Sequence, residues 1–209
     1  MILAIDPGPE QSAVVFWNGS RVVECAILDN RKVRECIGSY CDATHKPRVA
    51  IEMIASYGMA VGASVFNTCV QIGRMVEMAD RCGVRAELVF RKDVKLHLCG
   101  TPRAKDANVA QALRDRIGEK GTKAKPGPLF GMRSHTWAAL AVAVTAWDGA
   151  AGPAIVAGEG GSAKVAGGKS KADSNTHDKA WVLPGVSRVS VPSEHPPLEK
   201  DFVAKGARR

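Results

Sequence analysis

ILAIDPG at residues 2–8 opens the chain with an apolar run that ends in an acid and a turn. Four apolar residues followed by Asp6 and a Pro-Gly pair predict a short buried strand and a reversal. The pattern returns as VAIE at residues 49–52, where a second apolar run ends in Glu52. A helix-length segment precedes this second run. We therefore expect a right-handed crossover that lays the second strand parallel to the first.

The spacing of apolar residues and turns predicts the remaining elements. Two strands at residues 12–17 and 21–28 are joined by the hairpin pair Asn18-Gly19, and a fifth strand is expected at 86–90. Helices are expected at residues 30–41, 62–81, 94–98, 106–118 and 135–147, with Asp106 and Ser134 as the N-caps of the last two. This order predicts an α/β fold, a mixed five-stranded sheet with helices on both faces.

The composition changes near residue 150. Residues 1–150 carry nearly all the long aliphatic runs, whereas residues 151–209 are rich in Gly, Ala, Ser, Lys and Pro. Such a segment buries too little apolar surface to offset its chain entropy. We expect one folded domain at 1–150 and a mostly disordered basic tail at 151–209. Lys and Arg outnumber Asp and Glu by 29 to 21, and the net charge of +8 favours a polyanionic partner.

Cysteine spacing and hydropathy bear on the compartment. The six cysteines form no C-x-x-C pair and lie in apolar stretches, which is typical of free thiols in a reducing compartment. The N-terminus has no signal-peptide pattern, and no apolar run reaches the length of about 18 residues that a membrane span needs. We expect a cytoplasmic protein with no membrane segment.

The two acids that end the apolar runs are the strongest functional signal. Alone, an Asp before Pro-Gly is ordinary turn chemistry. If the two strands are parallel neighbours, about 4.8 Å apart, Asp6 and Glu52 emerge side by side at the strand ends where α/β sheets bind ligands. Two adjacent carboxylates repel each other unless a cation lies between them. The pair therefore predicts a Mg²⁺ or Mn²⁺ site that serves phosphate chemistry.

Two further residues are candidate ligands. His135, at the start of the last predicted helix, can turn toward the acid pair as a third ligand or as a proton-transfer group. A solvent-exposed histidine at a helix start is the alternative interpretation. Asp106 could also bind metal, but helix capping is the interpretation we favour for it.

Basic residues cluster between the fifth strand and the last helix, in segments that should border the acid pair. Lys95 and Lys105 are the preferred contacts to a DNA backbone, with Arg91, Lys92 and Arg103 beside them and lysines 120, 123 and 125 continuing the cluster. A solvated charged face is the alternative interpretation.

The long helix and the segment before it offer apolar surface. Tyr57, Met59 and Phe66 are expected to pack in the core, with insertion of an aromatic into an opened DNA junction as the alternative. Met75 and Met78 offer adaptable apolar contacts for a two-fold interface.

These segments resemble the RuvC-like Holliday-junction resolvases of bacteriophages, which belong to the ribonuclease H-like superfamily. ILAIDPG is similar to their opening strand and turn, and VAIE is similar to the strand that bears their second acid. FRKDVK at 90–95 resembles the stretch with a substrate-contacting lysine, and HTWAALAVAV at 135–144 resembles their closing helix. The resemblance covers residues 1–148 in order. It implies a ribonuclease H-like sheet and a homodimer that nicks four-way DNA junctions with Mg²⁺ or Mn²⁺.

The chain departs from this family at one position. The family's closing helix often carries acidic or histidine ligands three residues apart, whereas here His135 is followed by Ala138. Asp148 is a poor substitute for a ligand at position 138, since it lies about 15 Å beyond Ala138 along the helix. The missing fourth ligand implies weaker metal binding, a preference for Mn²⁺ or loss of cleavage.

Two other hypotheses stay open at this point. A non-catalytic junction-binding or scaffold protein would keep the fold without cleaving DNA. A nucleotide-binding protein of the sugar-kinase or actin type would open with a similar strand and turn, although residues 151–209 are too few to build its second domain.

Overall fold

The computed structural model describes residues 1–56, 58 and 60–149. The elements in chain order are β1 (Ile2–Asp6), β2 (Gln11–Trp17), β3 (Val22–Asp29), α1 (Asn30–Ala43), β4 (Arg48–Met53), α2 (Ala63–Arg81), β5 (Glu87–Phe90), α3 (Arg91–Cys99), α4 (Asp106–Ile117) and α5 (Thr136–Trp147). The predicted tail at 151–209 and the predicted packing of Tyr57 and Met59 lie outside the described residues.

The five strands form one mixed sheet in the order β3-β2-β1-β4-β5. The first three strands are antiparallel neighbours, and the β2–β3 turn needs Gly19, whose φ is +98°. β4 runs parallel to β1, and β5 runs parallel to β4. The α/β fold and the mixed five-stranded sheet predicted from the sequence are thereby confirmed.

Side chains alternate between the two faces of the sheet, and each face has its own helices. From β1, Leu3 and Ile5 enter a core formed with α1 and α2. Ile2 and Ala4 enter the other core, beneath α5. The small buried side chains of α5, which include four alanines between 139 and 146, let that helix lie close on the sheet. By the same alternation, Asp6 and Glu52 fall on the face that α5 covers.

Both predicted N-caps are wrong by one residue. Lys105 is the N-cap residue of α4, and Asp106 is its first helical residue, where a negative charge favours the helix dipole. Ser134 does not cap α5, because its φ of +42° places it in the left-handed region; His135 is the N-cap residue instead. Caps depend on the backbone angles of single residues, which the apolar pattern does not fix.

Two expectations for α2 are also wrong. Met75 is fully buried in the core with α1, so it cannot serve a two-fold interface. Phe66, which was expected in the core, is 60% exposed, and Val70 one turn later is 52% exposed. The exposed apolar surface of α2 therefore lies near its N-terminal end.

The features that bear on the compartment are simple. All six cysteines are free thiols, as predicted. Burial raises the pKa of Cys36 to about 12. In the part of the chain that the structure describes, no helix has the length and apolar character to cross a membrane.

Candidate active site

Asp6 is the last residue of β1, and the turn that follows it is held by buried polar groups. A Cβ on Gly8 would lie 2.4 Å from the carbonyl oxygen of Gln11, so the turn requires glycine. The Gly8 N–H donates to Ser12 Oγ at 3.2 Å, and Asn30 Nδ2 donates to the Gly8 carbonyl at 2.9 Å. Ser12 Oγ also donates to Asn30 Oδ1 at 2.5 Å. Local sequence patterns do not indicate the roles of Ser12 and Asn30, because their contacts join different elements.

The structure brings Asp6 and Glu52 together. β1 and β4 pair in register up to Ile5 and Ile51, and the two acids follow at the next position of each strand. Their side chains are only 14% and 13% exposed. The two carboxyl groups interact, since each acts on the pKa of the other.

Burial makes ionisation of both acids costly. Burial raises the pKa of Glu52 to about 8; the Arg91 charge opposes this rise, and the Asp6 charge adds to it. Burial also raises the pKa of Asp6, against the lowering effect of the nearby His135 and Arg91. Two buried carboxyl groups in contact need a proton or a cation between them.

His135 stands at the rim of this pair. Its Nδ1 lies 3.0 Å from Asp6 Oδ2, and its side chain is 73% exposed. The N-cap position of α5 brings it there, because α5 lies on the same face of the sheet as the two acids. The imidazole thus joins the buried pair to solvent.

Arg91 connects the pair to Asp106. Its Nη1 lies 3.5 Å from Glu52 Oε2, and its Nη2 lies 2.9 Å from Asp106 Oδ1. Lys95 Nζ adds a longer contact of 3.6 Å to the same Asp106 oxygen. Although partial burial acts to raise it, the pKa of Asp106 is lowered by Arg91 and Lys95. Asp106, a predicted ligand, therefore contacts two cationic side chains.

The donor set is smaller than the family resemblance implies. Ala138 lies one helical turn after His135 and offers no ligand atom. Across residues 1–56, 58 and 60–149, no three His, Cys, Asp or Glu side chains converge as a metal-binding group. The buried oxygens of Asp6 and Glu52 nevertheless suit a hard divalent cation, which would neutralise a pair that is costly to ionise.

The predicted DNA-binding residues differ in exposure. Lys92, Arg103 and Lys105 are exposed, whereas Lys95 is 22% exposed and Arg91 is 26% exposed. The lysines at 120, 123 and 125 are exposed on a loop that is closed by a bridge between Gly121 and Pro126. Exposed cations thus lie in the segments between β5 and α5, as the sequence placed them.

A second carboxylate cluster lies at the far end of α5. Asp148 accepts hydrogen bonds from Arg116 at 2.5 and 2.9 Å, and its Oδ2 lies 2.7 Å from His97 Nε2. The hydrogen bond from Arg116 lowers the pKa of Asp148, and His97 adds to this effect. Asp148 joins the ends of α3, α4 and α5, and it is not part of the acid pair.

Comparison with known proteins identifies the fold. No family model and no curated protein sequence matches the chain. Among solved structures, "Thermus thermophilus RuvC structure" is similar at 23% identity and a TM-score of 0.50, covering 72% of this chain and 97% of that one. "T. thermophilus RuvC in complex with Holliday junction substrate" is similar at 21% identity and a TM-score of 0.55, covering 72% and 96%. The chain shares the RuvC fold.

Proposed function

We propose that this protein is a metal-dependent endonuclease that binds and nicks branched DNA, in particular Holliday junctions, by phosphodiester hydrolysis. The activity is that of a crossover-junction endodeoxyribonuclease of the bacteriophage RuvC-like type, with Mg²⁺ or Mn²⁺ as cofactor. It would act in DNA recombination or repair in the cytoplasm, the host's cytoplasm if a phage encodes it. The shared RuvC fold supports this proposal, as does the name of one neighbour, which includes a Holliday junction substrate.

The observation that carries the proposal is the buried contact between Asp6 and Glu52. Although His135 contacts Asp6 and Arg91 contacts Glu52, burial still raises the pKa of both acids. Here two acids face each other at the carboxyl ends of parallel strands, where α/β folds bind ligands. A divalent cation and a phosphate group would satisfy both the charges and the position.

In the proposed reaction, Asp6 and Glu52 would hold the cation, and His135 would be a further ligand or transfer a proton. A divalent cation at such a site polarises a phosphate and makes water a stronger acid. His135 is exposed and hydrogen-bonded to Asp6 through Nδ1, so its other ring nitrogen is available to water or to the leaving oxygen. The turn fixed by Ser12 and Asn30 keeps Asp6 in place.

DNA binding is assigned to the basic residues between β5 and α5. Lys92, Arg103 and Lys105 are exposed, and Lys95 lies beside Asp106 near the acid pair. Each phosphate contact made by such residues releases counterions and adds to the salt dependence of binding. The tail at 151–209 adds further positive charge in the sequence.

We assign a homodimer to this function, since symmetric nicking of a four-way junction needs two sites. The surface proposed for the interface consists of the exposed apolar residues Phe66 and Val70 of α2, together with Val61 just before the helix. Exposed apolar side chains grouped on one helix end are typical of a surface that binds another protein. A Phe66→Asp variant should elute as a monomer in size-exclusion chromatography with light scattering.

The decisive experiment compares the protein with an Asp6→Asn variant on a labelled four-way junction. With Mg²⁺ or Mn²⁺, we expect nicking by the unchanged protein alone and junction binding by both proteins. An Asp80→Asn variant is the matched control, because Asp80 is exposed near the end of α2 and lies outside the acid pair. A linear duplex of the same sequence tests whether the branch is required. Equal nicking by the Asp6→Asn variant would remove this acid from the mechanism.

One observation favours a second candidate function. Ala138 supplies no ligand, and no described group of three ligands converges on one point. A non-catalytic protein that binds branched DNA would need neither. Junction binding that persists without any nicking in Mg²⁺ or Mn²⁺ would establish this second function.

A further inference from the structure

Arg91 occupies an unusual position for a surface arginine. It is the first residue of α3 and follows β5 directly, so its side chain starts at the same sheet edge as Asp6 and Glu52. Its guanidinium bridges Glu52 and Asp106, which come from different elements. The side chain is 26% exposed, which is less than for the neighbouring Lys92. Arg91 therefore belongs to the acid cluster more than to the free basic surface.

The charge of Arg91 reaches beyond its direct contacts. It acts electrostatically on Asp6 as well as on Glu52 and Asp106. A guanidinium stays protonated in proteins, and its planar fork matches the oxygens of carboxylates and phosphates. One fixed positive charge thus serves three acids at a site where a cation is needed.

Arg91 also lines a cavity. It has a volume of about 200 Å³, and Asp106, His135 and Ala138 also line it. The methyl group of Ala138 faces it from α5, at the position one turn after His135. The space that a fourth ligand on α5 would fill is therefore open, and Arg91 stands on its wall.

We propose that Arg91 supplies the second positive charge of the site, so that this nuclease holds one divalent cation and one guanidinium. This inference rests on the proposed function. Two-metal nucleases place one positive charge near the attacking oxygen and one near the leaving oxygen of the phosphodiester. Arg91 contacts Glu52 and also lines a cavity with His135, so its guanidinium can contact a phosphate oxygen bound there and stabilise the charge that develops on it. It needs no fourth carboxylate, which accounts for Ala138.

The effect of removing Arg91 on metal binding distinguishes a second positive charge from a simple ion-pairing residue. A guanidinium beside Glu52 repels an incoming cation, so its removal should tighten metal binding at the pair while weakening catalysis. If Arg91 only kept the acids in place, its removal would weaken both. Opposite changes in metal affinity and in nicking are therefore the signature of a second positive charge.

The test counts and titrates Mn²⁺ on the full-length protein by electron paramagnetic resonance, alongside nicking of a four-way junction. We expect one Mn²⁺ per chain. In Arg91→Ala, Mn²⁺ should bind about tenfold more tightly, and nicking should fall about 100-fold. Arg91→Lys keeps the charge and should retain both the Mn²⁺ affinity and part of the nicking. Arg85→Ala is the matched control, since Arg85 is exposed just before β5, at the opposite end of that strand from Arg91.

The outcomes separate this inference from the proposed function. Two Mn²⁺ per chain, or parallel losses of Mn²⁺ affinity and nicking in Arg91→Ala, would overturn the role of Arg91 and leave the nuclease intact. No Mn²⁺ binding, or binding that Asp6→Asn leaves unchanged, would overturn the metal site on which the proposed function depends. Circular dichroism of each variant shows whether the fold is retained.

Discussion

The two ends of α5 lie beside carboxylates whose environments shift their pKa values in opposite directions. At its start, Asp6 and Glu52 are buried against each other, and burial raises the pKa of both. At its end, Asp148 accepts hydrogen bonds from Arg116 and contacts His97, and the pKa of Asp148 is lowered. The far cluster stabilises three helix ends. The near pair costs folding free energy unless something else binds there, and such a cost is typical of a functional site.

The strongest test of the difference between these acids compares Glu52→Gln with Glu87→Gln. Glu87 begins β5 and makes a close ion pair with Arg48 at 2.8 Å, whereas the contact of Arg91 with Glu52 is longer, at 3.5 Å. We expect Glu52→Gln to lower nicking by at least about 100-fold, because the carboxylate that would hold the cation is lost. In EDTA at pH 8 the same variant should unfold at a higher urea concentration than the unchanged protein, since the repulsion is gone.

Glu87→Gln should behave in the opposite way. It should unfold at a lower urea concentration and nick the junction at nearly the rate of the unchanged protein. If Glu52→Gln destabilised the fold as much as Glu87→Gln and kept its nicking, Glu52 would be a structural acid like the others.

Asn30→Ala tests how the near end is held. This change removes the hydrogen bonds to the Gly8 carbonyl and to Ser12 Oγ, which are made by buried groups. We expect a loss of about 2 kcal/mol in the free energy of unfolding. Nicking should fall about tenfold, because the turn after Asp6 loosens. Urea denaturation and single-turnover nicking measure the two effects. Unchanged nicking in a destabilised variant would show that the turn does not position Asp6.

Asp148→Asn tests the far end. It weakens the contacts to Arg116 and His97, but solvent screens ion pairs at this partly exposed position. The free energy of unfolding should fall by about 1 kcal/mol. Nicking should stay within about twofold, because the cluster does not touch the acid pair. A large loss of nicking, measured at a temperature where the variant is folded, would show that the two ends of α5 are coupled.

The smallest expected effect is on the acid stability of the fold. The pKa of Asp148 is lowered in the folded chain, so its ion pairs stabilise the fold above the ordinary pKa near 3.9 and lose this effect as pH falls through the lowered pKa. Urea denaturation of the unchanged protein between pH 6 and about pH 2 should show this loss of stability. Asp148→Asn should show a shallower loss over the same range, and identical slopes would contradict the assignment.

The sequence predicted the features that depend on local pattern. Apolar runs that end in Asp6 and Glu52, separated by a helix-length segment, were enough to place two parallel strands with their acids at one edge. The pair Asn18-Gly19 placed the hairpin of β2 and β3. Period-two alternation and the small residues of α5 are likewise readable from the chain, because neighbouring residues determine them.

What the sequence could not predict depends on contacts between distant residues or on single backbone angles. The bridge from Arg91 to Glu52 spans 39 positions, and the contact of His97 with Asp148 spans 51. No local pattern shows which acid a given arginine will meet. The N-caps of α4 and α5 were misplaced because neighbouring polar residues compete for the same role. Met75 was misplaced because α2 carries apolar residues both on its buried stripe and on its exposed surface, and the sequence alone does not show which of them face the core.

The alternation of side chains along β1 also predicts how the site responds to insertions and deletions. Deleting one residue among positions 2–5 would reverse the faces on one side of the deletion, so either Asp6 turns toward the core that holds Cys36 and Met75 or the apolar residues before the deletion exchange cores. Deleting two would shorten the strand but return the acid to its own side. In this strand the parity of an insertion or deletion, more than its length, should decide whether the site survives.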